Sequence, residues 1–419
     1  MELDPGFAIG HALLGMVYSN LGEPVLAAED MRKAYVLRER LSERERLYIE
    51  SQYYHINIGD LDKASQVSEL YVQIYPRDFI QRAWLAVFYN ELGQYDRAIE
   101  EAREAVRLDP NAWAGYVNLA GAYLSMNRLD EAQAVLKQAE ERKLESQWLL
   151  ATRYQLAFLK GDGPQMDRLV AQAMGKPGTE DVLSGAQADT NAYHGRLHTA
   201  RELAIGAADS ALRNDAKETA AQYYTRFAME EAYVGQRQLA ITNAEAGLKL
   251  AANRPVTLQA ALALALVGDV GRAEHLTEGM NREFPGDTML QAYWLPVIRA
   301  AMALQRKNAG RVIELLQQSV LYELTNELEP VYLRGQADLM LHNGSGAVSE
   351  FQKIIDHRGI VGNYPLGALA RLGLARSYAL TGDTAKAKAA YQDYLTLWKD
   401  ADPDIPILKE AQGEYAKLK

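Results

Sequence analysis

The sequence predicts an all-α chain: a right-handed solenoid of about eleven helix-turn-helix repeats, closed by a C-terminal capping helix. Three observations carry this expectation. Two stretches are near-copies 34 residues apart, with Ala98 matched by Ala132 and Pro76 by Pro110, and 34 residues is the length of one stackable helical hairpin. Turn residues recur along the chain at intervals that drift from 33 to 40 residues. No stretch shows the period-two alternation of a strand.

The first copy runs from Leu85 through Tyr89, Gly93 and Tyr95 to Ala98; the second runs from Leu119 through Tyr123, Asn127 and Leu129 to Ala132. Extending this frame upstream picks up Gly15, Tyr18, Gly22 and Ala27, then His55, Gly59 and Ala64. Downstream, Gly161, Gly195, Gly235, Gly268 and Gly382 mark turns. A small residue follows most of them, at Ala200, Ala240, Ala273 and Ala387; Met166 takes that place after Gly161, and Val312 and Ala347 mark two further copies. Repeat starts are therefore expected near 8, 45, 79, 113, 147, 181, 221, 254, 293, 328 and 368. Ala86 and Ala98 let paired helices approach, while Leu85, Tyr89 and Tyr95 fill the space beside them. Gly93 suits a left-handed turn. Asp109-Pro110 ends one hairpin and opens the next, because proline fits a first helical turn and not an interior. One hairpin cannot bury its apolar face alone, so neighbours are expected to supply the stability.

The pattern resembles the tetratricopeptide repeat family along essentially the whole chain. It is strong over residues 8–142 and 368–398 and degenerate over 147–220, which would make the latter the softest part. Residues 1–419 then read as one continuous array, with a capping helix at about 403–419. In that helix Leu408, Ala411, Tyr415 and Leu418 form an apolar stripe, and Lys409, Glu410, Glu414 and Lys417 face away. A narrower resemblance lies at the end. Phe351 to Val361, Gly373-Leu374-Ala375-Arg376-Ser377-Tyr378 and Trp398 to Lys409 are similar to the C-terminal repeat arrays of bacterial, acidobacterial-type eukaryotic-like serine/threonine kinases. The kinase domain is absent: His357-Arg358-Gly359 lacks the aspartate that should follow the arginine. Glu2-Leu3-Asp4-Pro5 parallels Arg107-Leu108-Asp109-Pro110, the close of a second helix, so the natural protein is expected to extend N-terminally.

Composition narrows the function. The net charge is −10 and no basic stripe is present, which disfavours nucleic acid as a partner. There is no cysteine, so disulfides and cysteine–zinc sites are excluded. The apolar run Leu258–Val267, ended by Gly268-Asp269, is too short to span a bilayer. Compartment stays open between the bacterial cytoplasm and the far side of a membrane-anchored parent.

Chemistry-bearing motifs are sparse. His194 and His198 stand four apart, as metal-binding histidines do on one helical face, but Gly195 falls in a predicted turn and breaks that face. Gly344-Ser345-Gly346 and Gly161-Asp162-Gly163-Pro164 lack the lysine and spacing of a phosphate-binding loop. The pairs Glu100-Glu101 and Glu230-Glu231 read as solvated faces or side-chain pairs. No catalytic, metal or cofactor residues are assigned, and the chain is not expected to be an enzyme.

The expected site is a concave groove. In the resembled family the first helix of each hairpin lines that surface, which here implies Met16, Tyr53, Asn57, Asn90, Ser125, Met229, Tyr233, Tyr332, Gln336 and Arg376. Such a mixture of aromatic, methionine and amide side chains suits an extended or helical peptide. It lacks the family's lysine–asparagine clamp for a C-terminal carboxylate. The alternative is that several of these residues are packed between helices. The loop Gly359–Gly367 is either a functional loop or a segment with Ile360 and Val361 tucked under the array. The function expected is a non-catalytic protein- or peptide-binding scaffold, the sensory or docking half of a signalling kinase. The rival is a homodimerising module that brings attached catalytic domains together. A hydrolase or small-molecule sensor using the groove has little support.

Overall fold

The computed structural model describes residues 6–418, and no strand occurs among them. The expectation drawn from Glu2–Pro5 lies outside the described residues. The helices pair as antiparallel hairpins: α1 (Ala8–Asn20) with α2 (Pro24–Leu37), α3 (Glu43–Tyr53, continued by a π-helical turn to Ile58) with α4 (Leu61–Ile74), and α5 (Phe79–Glu91) with α6 (Tyr95–Leu108). Next come α7 (Trp113–Ser125) with α8 (Leu129–Glu141), α9 (Gln147–Lys160) with α10 (Gly163–Ala173), α11 (Glu180–Tyr193) with α12 (Leu197–Arg213), and α13 (Lys217–Tyr233) with α14 (Arg237–Leu250). The second half holds α15 (Arg254–Leu266) with α16 (Val270–Glu283), α17 (Leu295–Gln305) with α18 (Ala309–Leu316), and α19 (Glu329–Met340) with α20 (Gly344–Asp356). A short helix, α21 (Arg358–Val361), precedes the last pair, α22 (Leu366–Thr381) with α23 (Thr384–Leu397), and α24 (Pro406–Lys417) caps the end. Each first helix begins within four residues of the start expected from spacing.

One local rule builds every hairpin. The residue that closes the first helix adopts positive φ: Gly22, Gly59, Gly93, Gly161, Gly195, Gly235, Gly268 and Gly382, with Asn127, Lys307 and His342 in the same place. This is the left-handed cap that ends helices. In six hairpins the next residue is an acid or amide, and its side chain accepts from the amide three residues on: Asp60, Asp162, Asp269, Asn308, Asn343 and Asp383. A helix stop and a helix start thus sit on adjacent residues. The small residue expected near the start of each second helix is fully buried at Ala64, Ala98, Ala132, Ala200, Ala273 and Ala387. Met166 is half-buried.

The expectation that neighbours alone supply the stability is corrected by the structure. The array coils on itself, and the turns of its first half dock on helices of its second half. Thr219 at the start of α13 donates to the carbonyl of Leu21, 198 residues away, at 3.0 Å. The Thr288 amide donates to the carbonyl of Gly59 at 3.0 Å, and the Arg254 side chain donates to that of Ile56 at 2.8 Å. Tyr95 donates to the carbonyl of Leu324. Asn127 donates to the Asp356 carbonyl at 2.6 Å and accepts from the Gly359 amide at 2.9 Å. The Trp398 indole donates to the carbonyl of Tyr193 at 3.0 Å. These side chains, amides and turn carbonyls satisfy one another, which a strictly linear stack leaves to water.

The loop between the last two hairpins serves this closure. Val361 and Tyr364 are buried, so the loop tucks into the core. A Cβ on Gly359 would overlap the carbonyl oxygen of Leu124 in α7, which is why a glycine stands there. Two other expectations are corrected. Glu230 and Glu231 are fully buried, since the second half of α13, from Phe227 to Tyr233, is covered by the coiled array. Glu231 is nevertheless a side-chain pair, 2.8 Å from Arg201. Glu414 does not face away: it accepts from Arg376 and from the Tyr391 hydroxyl, at 2.9 and 2.8 Å, tying α24 to the last hairpin.

Candidate functional site

Because the first hairpin docks on the seventh, the coil encloses space between them. A cavity of about 890 Å³ is lined by the first turn (Tyr18, Asn20–Glu23 and Leu26), the beginning of α9 (Gln147, Trp148, Ala151), parts of α11 between Asp181 and Asp189 and of α13 between Thr219 and Phe227, with Ala204 and Ala211 of α12 behind. Its size is that of sites that bury a drug-sized ligand or a short peptide segment. Much of the wall is alanine, glycine, tryptophan and leucine, because inner helices of a tight coil must present small residues where they converge.

Arg226 and Asp189 place charge on the α11 and α13 wall, and further acids are their neighbours in the interior. Arg226 in α13 lies 2.9 Å from Asp189 and 2.9 Å from Glu327. Burial opposes its charge, but the two carboxylates hold it protonated well above its ordinary value. Neither oxygen of Glu230 meets a donor; burial and the neighbouring Asp189 carboxylate push it well above the usual range. A protonated Glu230 sharing its hydrogen with Asp189 resolves that conflict. Glu329 accepts from the Tyr293 hydroxyl, and burial, reinforced by Glu327, pushes it up to about 8. The hydroxyls of Tyr233 and Tyr364 lie in the same interior without partners. Their rings stand 6.2 Å apart, perpendicular to each other.

None of the ten residues expected in the groove lines this cavity. Met16, Met229, Tyr233 and Tyr332 are buried, and the Tyr233 and Tyr332 rings meet edge-on at 5.6 Å. Tyr53 stacks on Tyr35 at 3.7 Å. Asn57 donates to the carbonyl of Ala28 at 2.8 Å, while the Asn90 side-chain oxygen is buried without a partner. Ser125 lies beside the Tyr95 hydroxyl and Gln336 beside that of Tyr332. Arg376 is held by Glu410 and Glu414. The residues that do line the cavity were not singled out by sequence, because the first turn and α13 are distant in the chain.

A second concavity, of about 840 Å³, lies between α11, α20, α22 and α23, with His194, Arg371, Asp393 and Lys399 on its wall. His194 and His198 stand on either side of the Gly195 turn, and His198 lies 3.2 Å from Asp402. No group of three or more His, Cys, Asp or Glu among the described residues is placed to hold a metal ion. No helix among them is long and apolar enough to cross a membrane.

Comparison with known proteins bears on the fold. Residues 89–152 and 369–401 each match a tetratricopeptide repeat family model. No curated protein sequence matches the chain. Among solved structures it is similar to the human IFIT1 dimer with PPP-AAAA, at 17% identity over 86% of this chain and 85% of that one, with a TM-score of 0.45. It is similar to yeast Tom70 at 12% identity, covering 90% and 95%, with a TM-score of 0.36. A tetratricopeptide repeat protein from Parabacteroides merdae matches at 13% identity, covering 80% and 98%, with a TM-score of 0.29. With eleven helical hairpins on the page and two repeat matches within them, the chain is an all-α solenoid of the tetratricopeptide type.

Proposed function

We propose that this solenoid is a non-catalytic scaffold that takes a protein or peptide segment into the cavity between its first hairpin and α9, α11 and α13. The cavity itself carries the reading: a largely apolar interior space of about 890 Å³, walled by first helices, in an array whose fold suits protein contacts. Segments that enter it displace little ordered structure, since its walls are held by the long-range contacts rather than by the ligand. Of the ten residues first expected to bind, Tyr53, Asn57, Asn90, Ser125, Gln336 and Arg376 are only half-buried; in this reading a longer ligand meets them beyond the cavity. The similarity of residues 351–409 to bacterial kinase-associated arrays supports the finer proposal that the scaffold is the docking half of a signalling protein.

A second reading rests on a different surface. Leu13, Val17 and Val36 of the first hairpin are exposed, with Leu13 and Val17 one turn apart on α1, and a second copy could cover them. Binding and assembly separate in one experiment: affinity capture from a bacterial lysate combined with light scattering of the purified chain. Ala151 lines the cavity, so Ala151→Trp should fill it and release a cavity-bound partner while leaving the mass in solution unchanged. A partner retained by Ala151→Trp would remove the cavity reading. A concentration-independent dimer abolished by Val17→Glu would establish the second.

A further inference from the structure

We propose that the cavity takes a peptide segment in which a lysine or arginine stands between apolar side chains, with Glu23 and Asp181 as the anchors of its cationic group. This rests on the cavity being the binding site and adds the chemistry of the ligand. Both anchors line the cavity, and they are only 9% and 3% exposed. Each nevertheless has one carboxylate oxygen without a hydrogen-bond partner, Oε1 of Glu23 and Oδ1 of Asp181. The Asp181 carboxylate is otherwise met by the Tyr223 hydroxyl, at 3.1 Å through Oδ2.

A buried polar atom left unmet costs about 1–3 kcal/mol, and more when it carries charge. Both unmet oxygens belong to acids that line one cavity, so a donor entering it meets two under-satisfied carboxylates. Burial raises both groups from their ordinary values, with Glu218 adding to the effect on Glu23. Amides at the starts of α13 and α11 offset part of that rise. A lysine or arginine supplies donors and opposite charge at once, and such charge-assisted bonds are the strong ones.

The rest of the wall selects against other ligands. Asp189 and Asp215 also line the cavity, and Arg226 is the one cation lining it among the described residues. Arg226 is already engaged by Asp189 and Glu327. A phosphorylated segment or a free C-terminal carboxylate would meet repulsion here. Around the acids stand Trp148, Val182, Leu21 and Leu26, of which Trp148, Leu21 and Leu26 are exposed large apolar side chains. Exposed apolar area of this kind marks an interaction site, and the flanking side chains of the segment would cover it.

The test titrates the full chain with the capped hexapeptide acetyl-Ala-Leu-Lys-Leu-Leu-Ala-amide and its norleucine counterpart. Calorimetry gives the affinities, and the tryptophan signal lost in Trp148→Phe locates the site. The lysine peptide should bind at least about tenfold more tightly than the norleucine peptide, a difference of about 1.4 kcal/mol. Glu23→Gln with Asp181→Asn should abolish that preference and keep the norleucine affinity. Glu23→Gln alone should narrow it, which keeps the test valid should the double variant unfold. Equal affinity of the two peptides in the parent chain, or a preference that survives in a folded double variant, overturns the cationic anchor and leaves the cavity reading standing. Binding of neither peptide overturns both readings at this cavity. Butylammonium binding as tightly as the lysine peptide overturns the peptide and identifies a small-amine site.

Discussion

Raising the pH from about 5 to about 8 should destabilise the folded chain by roughly 3 kcal/mol. Burial, then Glu327, raises Glu329 from 4.5 to about 8. Burial also raises Glu230, Glu231, Asp287, Asp181, Asp338 and Glu23. An acid whose folded pKa exceeds its unfolded one keeps its proton in the fold at pH values where the open chain has lost it. The folded state then binds more protons, so each contribution is greatest below the group's ordinary value, 4.5 for a glutamate and 3.8 for an aspartate, and declines as pH rises toward its folded value. His194 works in the opposite direction. Burial and Arg196 lower it, which adds stability as pH rises toward 6.5, but it is one group against seven. Carboxylates lowered by partners, such as Asp78 and Asp269, are already ionised in both states above pH 5 and add no slope there. Denaturant midpoints at pH 5, 6.5 and 8 measure the effect. Glu329→Gln, which keeps an acceptor for Tyr293, should flatten much of the slope; stability that is level or rising over this range in the parent chain would contradict the assignment.

Trp398→Ala should cost about 3–5 kcal/mol, the range for emptying a buried aromatic site. The indole is 2% exposed, its nitrogen donates to the Tyr193 carbonyl at 3.0 Å, and its ring lies 4.9 Å from Tyr394. It also covers Gly195, where a Cβ would come within 3 Å of the ring. Trp398 therefore couples the end of the last hairpin to the turn of the sixth. A linear stack would confine the damage to α22–α24. The coiled array predicts that amide hydrogen exchange accelerates in α11 and α12 as well. Exchange confined to the C-terminal helices would show that the long-range contact carries no stability.

The hairpins were legible because their signals are local. A left-handed cap at Gly59 or Gly382, an Asp cap on the following residue, and Ala64 or Ala387 facing the partner helix all fall within six residues of chain. Coiling was not legible, because Asn127 meets Gly359 and Thr219 meets Leu21 across some two hundred residues, with no period to announce it. One signal did point that way. The run Leu258–Val267, weighed only as too short for a membrane, is buried at nearly every position of α15. A helix apolar all round is covered all round, which an open ribbon of hairpins does not do. The same covering explains why Glu230-Glu231, which reads as a polar face, lies in the interior. It also explains why the groove residues expected from the family frame are largely engaged within the coil while Trp148, Asp181 and Glu23 line the cavity.

The coil that encloses the cavity is open to a direct covalent test. The chain has no cysteine, and a Cβ built on Gly22 lies 3.7 Å from the Cβ of Thr219, within the separation that a disulfide spans. Gly22→Cys with Thr219→Cys should form an intramolecular disulfide under mild oxidation, visible as a faster-migrating band that reverts on reduction. The account predicts near-complete closure in the folded protein and none in denaturant on the same timescale. Free thiols that persist in the folded chain would contradict the docking of the first hairpin on the seventh, and with it the cavity.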